Sequence, residues 1–186
     1  MRAFLERLRH HDLKLSPSKA TIGTTKADFL GHTISPEGVL PNAKKVEALT
    51  QMPMPRDVKQ LRSLMGGLSY YRRFLKNMAK RVRPVTSLLK KGVPFAFTSE
   101  METIVRELLA ELAKPPILVF PDWDAVEDGT RPFLLCCDAS NDGLGATLEQ
   151  KQPDNTIKPI VFISRATLDA ERNWTPLDLE AGAIVW

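Results

Sequence analysis

Asp138 and Glu180 are the two residues whose setting suggests chemistry. Arg131-Pro132-Phe133-Leu134-Leu135-Cys136-Cys137 is a short apolar run that stops at Asp138-Ala139-Ser140-Asn141-Asp142-Gly143. A run ended by turn-forming residues predicts a buried strand, with Asp138 at its last apolar step, where a carboxylate is unusual. Further on, Thr175-Pro176-Leu177-Asp178-Leu179-Glu180 opens a helix. Thr175 is a good N-cap, Pro176 suits the first helical position, and Asp178 stands where a capping-box acid reaches back. Glu180 then falls in the second turn. Two hard divalent cations about 3.5–4 Å apart can hydrolyse a phosphodiester when a ring of carboxylates fixes them. A strand acid and a helix acid would supply half of such a ring. On spacing alone there is a plainer alternative, in which Asp138 and Ser140 shape a turn and Glu180 is a solvated helix residue. Asp142 reads as a turn former and Asp178 as a cap.

A second group of residues points to a polyanion. Arg72, Arg73, Lys76, Lys80, Arg81 and Arg83 lie close together, interleaved with Tyr70, Tyr71 and Phe74, and Arg62 precedes them. A helix of this kind can turn its aromatic rings inward and lay Arg and Lys on a phosphate backbone. An ordinary charged outer face has the same pattern. The net charge of +4 conceals a split: residues 1–93 carry 19 Lys+Arg against 6 Asp+Glu, whereas residues 94–186 carry 7 against 16. A basic half beside an acidic half suits a polyanion-gripping module joined to something that holds cations. His32 reads as a packed strand residue, and His10-His11 lacks partners at metal spacing. No phosphate-cradling glycine loop, zinc pattern or nucleophile elbow is present.

The elements that must position these residues follow from caps and periodicity. A short amphipathic helix is predicted over Met1–His11, with extended pieces at Leu13–Lys19 and Thr21–Thr25. A strand over Asp28–Ser35 is followed by a turn at Pro36-Glu37-Gly38. Asn42 caps a helix that ends before Met52-Pro53-Met54-Pro55. Asp57 caps the longest helical signal, whose stripe is Val58, Leu61, Leu64, Met65, Leu68, Tyr71 and Leu75. Gly66-Gly67 inside it predicts a kink or a close helix contact, and a further helix is expected over Arg83–Lys91. Ser99 and Glu102 open another helix, ended by Pro115-Pro116, with a strand at Ile117–Phe120 and a loop at Asp122–Thr130. Strands are predicted at Phe133–Cys137, Leu144–Glu149 and Pro159–Ser164, and a last helix at Pro176–Trp186. The uncapped first helix and the bare apolar last helix both suggest truncation.

Apolar content of 43% and charged content of 26% describe an ordinary globular chain, long enough for one or two domains. No apolar run approaches a membrane span, and no signal-peptide core is present. Cys136 and Cys137, adjacent in a predicted strand, point to opposite faces and cannot pair with each other, which fits a reducing, intracellular setting. Nucleus and cytoplasm are not distinguished, nor is the oligomeric state.

Several motifs, in order and along nearly the whole chain, resemble Gypsy-type LTR retrotransposon Pol polyproteins. Phe29-Leu30-Gly31-His32-Thr33-Ile34-Ser35 and Leu61-Arg62-Ser63-Leu64-Met65-Gly66-Gly67-Leu68-Ser69-Tyr70-Tyr71-Arg72-Arg73-Phe74 are similar to the thumb side of the reverse transcriptase. The resemblance continues through Pro94–Thr98, Pro116-Ile117-Leu118, Asp138-Ala139-Ser140, Gly143-Leu144-Gly145-Ala146, Ile163-Ser164-Arg165, Glu171-Arg172-Asn173-Trp174 and Glu180–Trp186. It implies an α+β fold in three parts: a palm tail over 1–40, a helical thumb over 41–92, and over 94–186 a truncated ribonuclease H-like mixed sheet with its first helix. The resemblance further implies that Asp138 and Glu180 are metal ligands of the ribonuclease H site, for Mg2+ or Mn2+ in the parent enzyme, with the site incomplete in this chain. Arg62, Arg72, Arg73, Lys76, Lys80 and Arg81 would meet an RNA–DNA hybrid or a template–primer duplex. The polymerase aspartate pair of the family has no counterpart here. Asp178 stands where the family often has Glu, and Gly182 where Leu or Ala is usual. The expected function is a piece of a reverse transcriptase/ribonuclease H that binds nucleic acid but is catalytically incomplete. A domesticated or relic binding module without enzymatic activity is the alternative, and a decayed product with no function is a third.

Overall fold

The computed structural model describes residues 1–186, and its elements follow the polar punctuation of the sequence with several shifts. α1 (Arg2–His10) has no side-chain cap and buries no residue. The extended pieces predicted between residues 13 and 25 are turns and bends that join no sheet. Where the sequence predicts one strand over Asp28–Ser35, two form: β1 (Ala27–Phe29) and β2 (His32–Ser35), followed by β3 (Gly38–Pro41). All three pair antiparallel in the order β1-β2-β3. Leu30 and Gly31 both have positive φ, 46° and 74°, the backbone that a two-residue hairpin turn requires. Leu seldom adopts it, so the turn is hidden in the sequence. Here the Tyr70 and Tyr71 hydroxyls donate to the Leu30 and Gly31 carbonyls and hold it. The strand predicted over Ile117–Phe120 reduces to a bridge, in which Val39 and Leu118 exchange backbone bonds of 2.8 and 3.1 Å.

The helical body begins with α2 (Ala43–Thr50), whose Lys45 amide donates to the Asn42 cap, and α3 (Val58–Tyr70), capped by Asp57. The apolar stripe of α3 continues, but the helix does not. A 3₁₀ turn over Arg72–Phe74 and the left-handed Asn77 (φ 52°) separate α3 from α4 (Met78–Arg81). α5 (Arg83–Ser87) carries Pro84 in its first turn and ends before Lys91, and α6 (Ser99–Ala113) is capped by Thr98 rather than Ser99. Gly66-Gly67 makes no kink. Gly67 instead allows close contact, because a Cβ there would lie 2.6 Å from Leu49 Cδ1 of α2. Leu61, Leu64, Leu68, Phe74, Leu75 and Val85 join Val105, Leu108 and Leu112 of α6 in one core of 18 buried residues. At about 1.5–3 kcal/mol per fully buried aliphatic side chain, this core dominates the stability of the chain. It runs across residue 93, so segment 41–92 and α6 share an interior.

α7 (Trp123–Glu127), capped by Asp122, occupies the span predicted as a loop. β4 (Phe133–Ser140), β5 (Gly143–Lys151) and β6 (Ile157–Ala166) then form a meander, with a register shift at Leu148/Glu149 where Pro159 interrupts the ladder. These three strands pair only antiparallel, so the parallel component of a mixed sheet is not formed among them. β4 runs past Cys137, which places Asp138 inside the strand opposite Gly145 rather than at its end. α8 (Pro176–Val185) opens with the full capping box between Thr175 and Asp178.

Two glycines make the backbone requirements measurable. Gly66 lies in mid-helix with open space around it, so Gly66→Ala is expected to stabilise by about 0.5–1 kcal/mol, raising Tm by about 1–4 °C. Gly38 has φ 137° and faces the Leu118 carbonyl, so Gly38→Ala is expected to destabilise by about 1–3 kcal/mol. Thermal unfolding of the two variants distinguishes these signs.

Candidate nucleic-acid interface and carboxylate site

Strand alternation decides where the first candidate acid points. Cys137 and Ala139 pack toward Leu144 and toward Leu179 and Ala183 of α8. Asp138, between them, therefore faces the opposite side of the sheet. The cross-strand register places Gly145 beside it and Ser164 beside Gly145. The chain just before and within α4 lies over this row. Asn77 Nδ2 donates to Asp138 Oδ2 at 2.5 Å, and the Ala79 amide donates to Ser164 Oγ at 3.1 Å. Glu180 sits on α8 next to the buried Leu179 and is exposed, without a hydrogen-bond or ion-pair partner. The fold thus brings Asp138 to Asn77 and gives Asp138 and Glu180 no shared partner. No group of three or more His, Cys, Asp or Glu side chains is close enough to hold a metal.

The basic residues divide into two sets. Arg62, Arg73, Lys76 and Lys80 are exposed and form no ion pair. Arg72 is also exposed, but its guanidinium donates to the Ser164 carbonyl. Arg81 pairs with Glu111 at 2.8 Å and Glu107 at 3.6 Å on α6. Arg83, just beyond, donates to the Asn141 and Asp142 carbonyls and to Thr167 Oγ1. Two of the three interleaved rings turn inward as the pattern suggests, and the third does not. Tyr71 and Phe74 are buried, whereas Tyr70 remains 51% exposed. His32 packs in its strand among Tyr70, Tyr71 and Phe74 with ring centroids 5.4–5.8 Å away. Burial pushes the Tyr71 hydroxyl above its ordinary pKa, with the neighbouring Tyr70 adding to the effect.

Three polar residues that organise this region carry no signal in the sequence. Asn77 is one. Gln150, completely buried, donates to the Asp122 and Arg131 carbonyls and accepts from the Asp122 amide, tying α7 to the sheet. Glu171, in a 3₁₀ turn before α8, accepts both Arg165 nitrogens at 2.6 and 2.7 Å and the Leu168 amide at 2.8 Å. The Arg165 bonds first, and the Leu168 amide second, hold the Glu171 carboxyl down at about 2. Each is recognisable only from its partners, which are remote in sequence or lie in an irregular turn.

Residues 97–186 match the RNase H-like domain found in reverse transcriptase. Across 96% of its length the chain is 34% identical to the retrovirus-related Pol polyprotein from transposon 412 of Drosophila melanogaster. Across 97% it is 38% identical to that from transposon 297 of the same species. The chain is similar to retrotransposon Pol polyproteins along nearly its whole length. It spans only 14% and 16% of those two polyproteins. The Pol likeness extends to the Tf2-3 polyprotein of Schizosaccharomyces pombe, at 28% identity over 97% of the chain. Among solved structures, the foamy viral protease-reverse transcriptase dRH in complex with double-stranded DNA superposes with a TM-score of 0.78. That likeness covers 97% of this chain and 31% of the other at 22% identity. The foamy viral enzyme in complex with an RNA/DNA hybrid gives 0.71, covering 90% of this chain and 22% of that one, also at 22% identity. At these identities the likeness concerns the α+β fold alone. Reverse transcriptases and RNase H-like proteins generally use divalent metals, and this chain forms no cluster of three or more acids, His or Cys that could hold one. No helix is long and apolar enough to cross a membrane.

The Arg165–Glu171 pair sets a pH dependence. Glu171 is depressed from an ordinary 4.5 to about 2, so its contribution is complete above the unfolded value and is lost as pH falls from 4.5 toward 2. Wild-type protein is expected to lose stability across that window. Glu171→Gln should be less stable at neutral pH and show a flatter acid limb in urea unfolding.

Proposed function

We propose that this Pol segment is a nucleic-acid-binding part of a reverse transcriptase/ribonuclease H whose own residues are catalytically incomplete. The supporting observation is the set of exposed cations, Arg62, Arg73, Lys76 and Lys80, which no acid neutralises, on the helical segment between the two sheets. Unpaired Lys and Arg beside a phosphate backbone release counterions and supply sequence-independent affinity. The likeness of the fold to reverse transcriptases solved with DNA duplex and with RNA/DNA hybrid supports the same class of partner. In this assignment 1–40 is a palm tail, 41–92 a thumb and 94–186 the RNase H-like part, with α6 lent to the thumb core. The parent protein would synthesise DNA on RNA and cleave RNA in the hybrid, inside the cell. By the resemblance Asp138 and Glu180 stand at the ligand positions for Mg2+ or Mn2+ in that parent reaction, but in this chain they share no partner. Arg72 contributes to the surface while anchored to the sheet, and Arg81 contributes less, because Glu107 and Glu111 neutralise it.

Two outcomes are expected. The purified chain should shift an RNA–DNA hybrid in a gel, with affinity falling steeply as salt rises. Arg73→Glu with Lys76→Glu should weaken binding about tenfold or more and flatten the salt slope by about one unit per charge removed. Salt-insensitive binding, or none, sinks the proposal. With Mg2+ present, neither primer extension nor hybrid cleavage is expected from this chain alone. Cleavage that disappears in Asp138→Asn would refute the catalytic incompleteness.

A further inference from the structure

Asp138 has the wrong surroundings for a metal ligand and the right ones for a different task. Its Oδ2 accepts the Asn77 amide, the candidate acid of α8, Glu180, is exposed with no shared partner, and no cluster of three acids forms. We infer that Asp138 is the acceptor of a latch, closed by Asn77, that seats the thumb segment on the RNase H-like sheet. In this arrangement it is a positioning residue, and the site does not fit a divalent metal.

Three positions are matched to one another. Asn77 has φ 52°, a backbone that Asn tolerates better than most residues, and it thereby interrupts the helical run and aims its amide at the sheet. Gly145, paired with Asp138 across the strands, leaves the space that Asn77 fills, since any Cβ there would collide with Asn77 Oδ1. The Ala79 amide reaches Ser164 Oγ two residues later, on the same row. Gly143 completes the close approach, because a Cβ there would lie 3.1 Å from the Lys80 nitrogen. A charge-assisted bond of this type is stronger than a neutral one, and removing its donor leaves a half-buried carboxylate unpaired. The latch stands on this geometry, whether or not the chain binds nucleic acid.

The test exchanges the partners in the full chain and follows hydrogen exchange at the Ala79 amide. Asn77→Asp keeps the shape but opposes two carboxylates, and should speed exchange about tenfold or more. Asp138→Asn added to it reverses the pair, with residue 138 now donating, and should restore protection to within about twofold of wild type. Asn77→Gly, which keeps the left-handed backbone, should also speed exchange and serves if Asn77→Asp does not fold. Mg2+ raised to about 10 mM should leave the Asp138 carboxyl carbon shift of the wild-type chain unmoved. Unchanged exchange in both Asn77 variants, a reversed pair no better protected than Asn77→Asp, or a saturable Mg2+ shift at Asp138 each overturns the latch. Hybrid binding, measured on the same variants, reports the separate question of the proposed function.

Discussion

The two-sidedness of β4 is the constraint on which the rest of the second half depends. Cys137 and Ala139 must lie under α8, so Asp138 must face the helical segment around Asn77. A slip of one residue would exchange these sets and drive a carboxylate against Leu179. The apolar contribution on the α8 side is small: Leu144, Leu179 and Ala183 are its only fully buried members, beside 18 in the main core. The sheet is therefore anchored largely from its other face. There Phe162 packs on the main core and polar bonds fix the register of docking.

That polar interface is stable only because its groups are matched. Arg83 satisfies the Asn141 and Asp142 carbonyls at the β4–β5 turn and reaches Thr167 beyond β6. Arg72 satisfies the Ser164 carbonyl. The Arg83 bonds to the exposed Asn141 and Asp142 chiefly set orientation. A buried acceptor left without a donor costs about 1–3 kcal/mol, so Arg72 at the buried Ser164 removes a penalty more than it adds an attraction. Glu171 works the same way at the far end of β6. Its carboxylate is nearly inaccessible at 6% exposure and is tolerable only with Arg165 and the Leu168 amide in place.

What could be read in the sequence was local. Asn42, Asp57, and the Thr175–Asp178 box cap helices because a short side chain reaches a backbone amide two or three residues away. The stripe from Leu61 to Leu75 marked the core correctly, but not the break at Asn77, since a left-handed residue leaves the apolar spacing nearly intact. The Leu30-Gly31 turn and β3 were hidden because tyrosine hydroxyls forty residues away hold the one, and Leu118 extends the other. Asp138 was conspicuous as an acid in an apolar strand. What it touches was not, because its partner lies 61 residues upstream and is joined to it only by the packing of the helical segment on the sheet.

The charge split along the chain has two physical consequences that the fold separates. Arg81 with Glu107 and Glu111, and Arg83 with Asp142, bind the basic half to the acidic half. These pairs are partly solvated, so each contributes modestly to stability and mainly sets orientation. Once paired, such a cation has little field left for a polyanion. Arg62, Arg73, Lys76 and Lys80 have no acid to neutralise them. Their combined potential is what a phosphate backbone would meet, and it survives folding because no acid pairs with them. The asymmetry thus serves cohesion through the paired cations and leaves a positive field at the unpaired ones, and the division is set by which cations an acid of the second half reaches.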